Sequence, residues 1–317
     1  MKPIASLSLD LDNQWSYMKT HGDAGWEAFP SYLDLVVDRF LPMLEERGLR
    51  ITVFVVGQDA ALDKNHKALR KIADAGHEIG NHSFHHEPWL HLYSEEQIEE
   101  EISKAEQAIE HATGRRPHGF RGPGFSISPT VLRVLLRHGY RYDCSTFPTF
   151  LGPLARTWYF LKSDLAPEER EKRKQLFGGW KEGLRSIDPY LWELAEGNMV
   201  EIPVTTVPVL RVPMHMSYVL YLSTLSPRLA RAYFASAQAT CRMFGSSPSL
   251  LLHPLDFLSG EDIDALAFFP GMALRAQDKL ACVGACLDLL RRNFDILPLE
   301  EHAEALRRGS SLQLEAA

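Results

Sequence analysis

The chain has 317 residues, with 34 Lys or Arg against 41 Asp or Glu, which gives a formal net charge of −7. This acidic balance excludes the broad basic surface that binding to a phosphate backbone requires, so the composition argues against a nucleic-acid partner. The length suits either two ordinary domains or one elaborated α/β barrel.

The first residues, MKPIASLSLDLDNQW, form an apolar run that Asp10 and Asp12 interrupt, and this pattern predicts no signal peptide. No segment approaches the roughly 20 uninterrupted apolar residues of a spanning helix; the nearest candidate is 218–225. The four cysteines show no CxxC spacing and predict packing roles rather than a disulfide framework. We therefore expect a cytoplasmic protein, with peripheral attachment to the inner membrane face as the alternative.

Short β-like runs alternate with helical periods through the first half of the chain, a pattern typical of a parallel sheet. Predicted strands cover residues 4–9, 51–56, 78–80, 118–121 and 140–143, and predicted helices cover 32–46, 65–75, 94–113 and 129–137. Further strands are predicted at 199–207, 249–253 and 295–297, with helices at 228–244, 273–293 and 299–308. Ser94 and Gln97 predict a capping box for the 94–113 helix.

Residues 147–198 interrupt this alternation with aromatic and charged sequence, which predicts a helical insertion. Because no repeat or Gly/Ser linker occurs, the pattern favours one domain over 1–308, followed by a flexible tail at 309–317. The aromatics of the insertion and the apolar segment 214–225 suit a peripheral membrane or lipid-carrier contact. The alternatives are a cap on the barrel or a contact in a homo-oligomer.

Two carboxylates and a histidine-rich segment predict a metal site. Asp10 and Asp12 end the first predicted strand, where residues i and i+2 point to the same side, so both carboxylates converge on one site. The segment HSFHH places His82 and His86 four residues apart, a spacing that suits a divalent metal, while His85 offers a competing pairing with His82.

One carboxylate with two histidines leaves metal positions open for water and substrate, as a catalytic site requires. The second carboxylate is a candidate base for the attacking water. His253, in the strand-end segment LLLHPLDF, is a candidate general acid for a leaving nitrogen. A backbone N–H near residues 142–144 is expected to help stabilise the oxyanion. The ligand atoms favour zinc, and Co, Fe, Ni and Mn are also compatible.

The order Asp-x-Asp, His-Ser-x-x-His, Arg-x-Pro-x-Phe, Leu-x-x-His-Pro resembles the polysaccharide deacetylases, the NodB-homology family or carbohydrate esterase family 4. The resemblance covers about residues 4–146 and 199–297 and leaves the insertion outside. It implies an α/β fold, a distorted (β/α)7-type barrel, with the metal site at the carboxyl ends of its strands.

Carried over onto this chain, the resemblance implies that Asp10 is the general base. It implies that Asp12, His82 and His86 are the metal ligands. The segment RGPGF matches the third motif, which implies that Arg121 holds Asp10 through a charge-assisted pair.

For the other side of the site, the resemblance implies that His253 is the general acid. It implies that Asp143, in the segment YDCS, pairs with His253 and raises its pKa. The residues expected to line the substrate groove are Pro123, Phe125 and Leu250, the last beside the acyl methyl group, together with Trp89, for which wall packing is the alternative.

The first motif departs from the form of secreted family members, which have two adjacent Asp followed by Gly, since Leu11 intervenes here and Asn13 follows. This D-x-D form resembles the intracellular amidase branch of the family.

The predicted function is metal-dependent removal of an N-acyl group, acetyl first, from an amino sugar that is lipid-linked or nucleotide-linked in glycan synthesis. Two alternatives stay open. One is an amidase or deformylase of the same fold that acts on a small non-sugar amide or formamide. The other is a catalytically silent protein that binds glycan or lipid.

Overall fold

The computed structural model describes residues 2–151, 182–309 and 312–317. Five consecutive parallel strands form the centre of its sheet, each hydrogen-bonded to the next. They are β1 (Ile4–Asp10), β2 (Thr52–Val55), β3 (Glu78–Asn81), β4 (Gly119–Phe120) and β5 (Tyr142–Asp143). These strands confirm the five predicted in the first half of the chain.

The remaining strands extend this sheet at both ends. The hairpin of β6 (Tyr190–Leu194) and β7 (Gly197–Glu201) joins the sheet where β7 pairs with β5. On the outer side of this hairpin, β10 (Gln313–Ala316) pairs with β6. At the other end of the sheet, β8 (Ser249–Leu252) and β9 (Asp295–Leu297) both pair in parallel with β1.

The segment after β7 closes the sheet into a barrel. The N–H of Val204 donates to the carbonyl of Thr146 over 2.9 Å, and the N–H of Thr205 donates to the carbonyl of Ser249 over 3.1 Å. One segment therefore bonds to the end of β5 and to the beginning of β8. The distorted α/β barrel that the sequence predicts is the observed fold.

Helices cover the outside of this barrel. They are α1 (Gln14–His21), α2 (Leu33–Glu45), α3 (Gly57–Ala60), α4 (Asp63–Asp74), α5 (Glu95–Thr113), α6 (Pro129–Arg137), α7 (Met216–Leu225), α8 (Pro227–Phe244), α9 (Ala276–Asn293) and α10 (Leu299–Gly309). Ser94 and Gln97 form the expected capping box at α5. None of the helices in the described ranges is long and apolar enough to cross a membrane.

Alternation along β1 separates the core from the site. Leu7 and Leu9 are fully buried in the main apolar cluster, together with helix residues such as Val36. Because side chains alternate along a strand, Ser8 and Asp10 point to the opposite face, into the barrel. The strand thus packs against helices on one face and presents polar groups on the other.

Two predictions about the second half of the chain are wrong. The helical insertion was expected to continue to residue 198, but Tyr190–Leu194 is a strand with Tyr190 and Trp192 buried. The tail was expected to be flexible, but Gln313–Ala316 pairs with that strand. The apolar segment 214–225 was not assigned a structure and contains α7. The rest of the insertion, 152–181, lies outside the described residues.

Candidate active site

Three side chains that follow β1 and β3 bring their ligand atoms together. The candidate atoms of Asp12, His82 and His86 all lie within 4.8 Å of one another. Asp12 Oδ1 is 2.9 Å from His86 Nε2 and 3.4 Å from His82 Nε2. Burial alone would raise the pKa of Asp12, but the two imidazoles hold it well below its usual value. The carboxylate is therefore ionised and faces both rings.

The loop 82–86 is held in an unusual backbone conformation. Ser83 and His86 adopt positive φ angles of 59° and 55°, a region that side chains other than glycine rarely occupy. Glu101, buried on α5, compensates by accepting the backbone N–H groups of Phe84 and His85 over 3.0 Å each. Its other carboxylate oxygen pairs with the His85 ring. His85, the competing ligand, is thus turned away from Asp12.

A hydrogen bond fixes the tautomer of His82. Its Nδ1 donates to the carbonyl of Arg121 over 2.6 Å, which leaves Nε2 to face Asp12. Such a bond to the second ring nitrogen is the usual way in which a metal-binding histidine is oriented.

The turn that carries Asp12 rests on a buried carboxylate. Asp59, 1% exposed, accepts hydrogen bonds on Oδ1 from Asn13 (2.6 Å), Trp15 (3.0 Å) and Asn65 (3.1 Å). Burial raises the pKa of Asp59 to about 7, although the Asn13 and Trp15 bonds oppose this shift. Asp59 therefore anchors Asn13 and Trp15, and through them the turn that carries Asp12.

Asp10 lies beside the metal ligands and is paired with a buried arginine. The Arg121 guanidinium, 0% exposed, donates to Asp10 Oδ1 over 2.7 Å, to Ser8 Oγ over 2.9 Å and to the Cys144 carbonyl over 3.0 Å. It also lies 4.6 Å from the centre of the Phe54 ring. These contacts fix the Asp10 carboxylate, and they include the Arg121–Asp10 pair that the family resemblance implies.

The loop after Arg121 places the expected groove residues. Pro123 is buried at the start of a short 3-10 turn, and Phe125 is half-buried with its ring 4.9 Å from that of Phe147. A Cβ on Gly122 would lie 2.0 Å from the Ser126 carbonyl oxygen, so this turn requires glycine. Trp89 is half-buried before the 3-10 turn that follows the metal loop.

His253 follows β8 and is half-buried. The register of β8 pairs Leu9 with Leu252, so Asp10 and His253 lie at the same level on neighbouring strands. Ser217 Oγ is 3.3 Å from His253 Nδ1, and the His215 ring is 5.6 Å away. The structure thus brings the candidate acid to the same end of the barrel as the candidate base.

The predicted pairing of Asp143 with His253 is wrong. Asp143 is fully buried, and its two oxygens accept the Ser145 hydroxyl over 2.6 Å and the Ser145 N–H over 3.1 Å. Burial and the neighbouring Glu201 raise the pKa of Asp143 well above its usual value. The Ser145 hydroxyl in turn accepts the N–H of Gly122 over 2.8 Å. Asp143 therefore supports the loop that carries Arg121.

The prediction that Leu250 lines the substrate pocket is also wrong. Register pairs Leu250 with Leu7, and both are fully buried in the apolar cluster under the helices. Leu251 pairs with Ser8 and so shares its barrel-facing side. The motif match therefore selected Leu250, whereas the neighbouring residue Leu251 is the one whose side chain faces the barrel interior.

The expected oxyanion donor near residues 142–144 is not available at Cys144. Its N–H donates to the Phe120 carbonyl over 3.0 Å as part of the sheet. This N–H is already bonded within the sheet, so it does not point to a substrate oxygen.

Several residues of the site were not identified from the sequence. They are Asp59, Glu101, Ser217 and Asp256, together with His215, which is 8% exposed. A signal existed only for Asp256, which stands three residues after His253 in the same segment. The others come from helices distant in sequence.

The residues present fit a metal ion. Asp12 Oδ1 is buried and accepts no well-oriented hydrogen bond, which is costly without a cation. One carboxylate and two imidazoles suit zinc, and Co, Fe, Ni and Mn are also compatible.

Fold and site together define an α/β barrel with a candidate metal centre at the carboxyl ends of its strands. The polysaccharide deacetylase family model matches residues 23–142, so this chain is similar to that family over this segment. His82, His86 and Arg121 fall inside the matched segment, whereas Asp12 and His253 lie outside it.

Relatives with curated descriptions align with parts of the chain. A peptidoglycan deacetylase of Helicobacter pylori is 28% identical over 162 residues, which is 50% of this chain and 53% of that protein. A chitooligosaccharide deacetylase of Azorhizobium caulinodans is 35% identical over 101 residues, 31% of this chain and 46% of that protein. The chain therefore matches about half the length of these relatives.

A crystal structure from Mycobacterium smegmatis, assigned to the polysaccharide deacetylases, has the same fold. It superposes with a TM-score of 0.63 at 19% identity and covers 99% of this chain and 94% of the other.

Proposed function

We propose that this protein is a metal-dependent hydrolase that removes an acetyl group from the nitrogen of an amino sugar. The observation that carries this proposal is the juxtaposition of two differently held carboxylates. Asp12 faces His82 and His86, while Asp10, two residues earlier, is bound by Arg121. Asp12 is thus placed to bind a cation, and Asp10, which is not among the candidate ligands, is placed to accept a proton.

A divalent cation held by Asp12, His82 and His86 would polarise the amide carbonyl and make a water molecule easier to deprotonate. The three side chains are buried or half-buried, so little competing water reaches them. Three protein ligands would leave the remaining coordination positions of the ion to water and a substrate carbonyl.

Asp10 is the proposed base for the attacking water. Asp10 is 4% exposed, and the Arg121 contact holds its carboxylate in one orientation. Because the pair is buried, removing either partner leaves an uncompensated charge. Arg121 therefore positions the base rather than contacting the substrate.

His253 is the proposed acid for the departing amine. It stands on the strand next to that of Asp10, so a substrate amide between them would present water to one side and its nitrogen to the other. An amine is a poor leaving group unless it is protonated, which gives His253 its role.

The substrate class follows from the relatives, one of which is named for peptidoglycan and another for chitooligosaccharide. Both names describe glycans that contain N-acetylated sugars. Rings that can stack on a sugar surround the site, including Phe125 and Phe147. Within this class we favour a lipid-linked or nucleotide-linked precursor, and a deformylase or small-amide hydrolase is the alternative.

A panel of substrates tests this proposal. Acetate and formate release would be measured from free, nucleotide-linked and polyprenyl-linked N-acyl sugars, from chitooligosaccharides and from a simple amide. Acetate from one sugar class supports the proposal and identifies the substrate. Formate release, or release from the non-sugar amide alone, favours the alternative.

Peripheral membrane contact also stays a proposal, as does the cytoplasmic location. One face of α7 is buried in the core, through residues such as Val219, while Tyr221 is 50% and Leu225 is 71% exposed. If this helix touches a membrane, Tyr221→Ser with Leu225→Ser will reduce co-sedimentation with anionic liposomes. Equal sedimentation of wild type and variant would remove α7 from such a contact.

A further inference from the structure

A closed set of hydrogen bonds connects the proposed acid to a buried carboxylate. Ser217 on α7 donates its hydroxyl to Asp256 Oδ1 over 2.8 Å and lies 3.3 Å from His253 Nδ1. Asp256 Oδ2 accepts the backbone N–H of His253 over 2.8 Å. Asp256 is 1% exposed, so these donors take the place of solvent around its carboxylate.

This geometry orients the ring of His253. A serine hydroxyl has one proton, and here that proton is directed to Asp256. When the ring is protonated, its Nδ1–H therefore faces a Ser217 oxygen that can only accept. The Nε2 atom is left to exchange a proton with a substrate nitrogen.

The surroundings of His253 hold the turn that follows it. Lys279 on α9, 1% exposed, donates Nζ to the carbonyls of Leu255 and Leu258 over 2.7 Å and 2.6 Å and so anchors the turn Pro254–Asp256. Burial lowers the pKa of Lys279 to about 8, although Asp256 opposes this shift.

Just before α7, at its N-cap, the His215 ring faces His253. Burial, together with His253 and Arg121, lowers the pKa of His215 well below its usual value, so this ring is neutral. Tyr218 packs against His215 with ring centres 4.4 Å apart. From α1, Tyr17 lies close enough to interact with the Asp256 charge, and burial raises the pKa of its hydroxyl. Among these neighbours in the described ranges, Asp256 supplies the negative charge.

We propose that Asp256, acting through Ser217, is the positioning residue of His253 and stabilises its protonated form, a role that the sequence had assigned to Asp143. This inference rests on the proposed function of His253 as general acid. It deepens that function, because it names the group that holds the acid in the correct orientation and charge state.

The variants Asp256→Asn and Ser217→Ala test this role, with Asp143→Asn as the matched control. Two substrates would be compared: an N-acetylated sugar and an activated aryl acetate, whose leaving group needs no proton. Asp256→Asn is expected to lower kcat on the amide by about 10- to 100-fold and to leave aryl acetate hydrolysis near normal. Ser217→Ala is expected to have a smaller effect in the same direction.

The pH profile gives a second readout. Without the negative charge of Asp256, the His253 ring loses its proton more easily, so the alkaline limb of kcat on the amide is expected to move down by about 0.5 to 1 pH unit. Asp143→Asn is expected to leave this limb in place. An unchanged limb in Asp256→Asn, with equal loss on both substrates, would overturn the proposal.

Ring NMR of His253 tests the inference independently of turnover. The resonance is assigned by its loss in His253→Gln, and its titration midpoint is expected to fall in Asp256→Asn but not in Asp143→Asn. If wild-type protein hydrolyses no amide but this midpoint shifts, the proposed function fails and the positioning role stands. If the wild type is active and the midpoint is equal in all variants, only the positioning role fails.

Discussion

The two sides of the site are built differently. On the metal side, the ligands come from two short segments, and neighbouring elements hold them through backbone groups, as Glu101 and Arg121 do. On the proton-donating side, one residue follows β8, and its partner Ser217 lies 36 residues earlier in the chain. Local spacing therefore indicates the candidate metal ligands, whereas the partners of the proposed acid are set by how α7 packs on the barrel.

The largest expected effect lies on the metal side. His86→Ala removes one of three ligands, so we expect loss of bound metal by elemental analysis and a fall in kcat/KM of about 10³-fold or more. His85→Ala is the matched control, because His85 pairs with Glu101 instead of Asp12. Metal loss in His85→Ala with full retention in His86→Ala would assign the third ligand to His85.

The next prediction separates the base from the ligands. Asp10→Asn leaves Asp12 in place, so the variant should keep its metal while kcat falls by about 10³-fold. It also leaves the Arg121 charge unpaired in the interior, which is expected to cost about 3 to 5 kcal/mol of unfolding free energy. Near-normal turnover in a metal-loaded, folded Asp10→Asn would contradict the role of Asp10.

A variant in the core tests whether Leu250 on β8 has a structural role or contacts the substrate. Leu250 packs under the helices, so Leu250→Ala is expected to lower the free energy of unfolding by about 2 to 5 kcal/mol in urea titrations. KM should stay unchanged in the folded fraction. A raised KM with unchanged free energy of unfolding would show that Leu250 contacts the substrate.

The smallest expected effect is on the pH dependence of stability, and it concerns Asp59, which anchors the turn that carries Asp12. Because the pKa of folded Asp59 is about 7, above that of an unfolded aspartate, its contribution to stability is present at low pH and is lost as pH rises toward 7. Asp59→Asn keeps an oxygen for the three donors and removes this titration.

We therefore expect metal-free Asp59→Asn to gain stability over wild type between about pH 4 and 8, by about 2 to 4 kcal/mol at the upper end. Urea unfolding at several pH values measures this difference. Parallel stability curves for the two proteins would show that Asp59 is already ionised in the folded state.

Sequence patterns predicted the elements that have clear periodicity. The alternation of β1, the capping box of α5 and the limits of α6 (Pro129–Arg137) follow from local chemistry, and the structure reproduces them. The ligand spacing from His82 to His86 is likewise local. These features need no knowledge of distant contacts.

The features that were missed depend on long-range packing. Tyr190–Leu194 becomes a strand because β7 and β10 pair with it from both sides, and its aromatic sequence gave no sign of these neighbours. The partner of His253 depends on Ser217, which only the position of α7 reveals. The face of Leu250 was misassigned because strand register, which decides it, comes from pairing with β1.

The central claim is that hydrolysis depends on a metal held by Asp12, His82 and His86. The most direct measurement is acetate release by metal-free protein from an N-acetylated sugar identified in the substrate panel, during titration with zinc and the other compatible divalent ions. Our account predicts no release without metal, full release at one equivalent, and no restoration in His86→Ala at that metal concentration. Release that is unaffected by metal removal, or that is restored equally in His86→Ala, would contradict it.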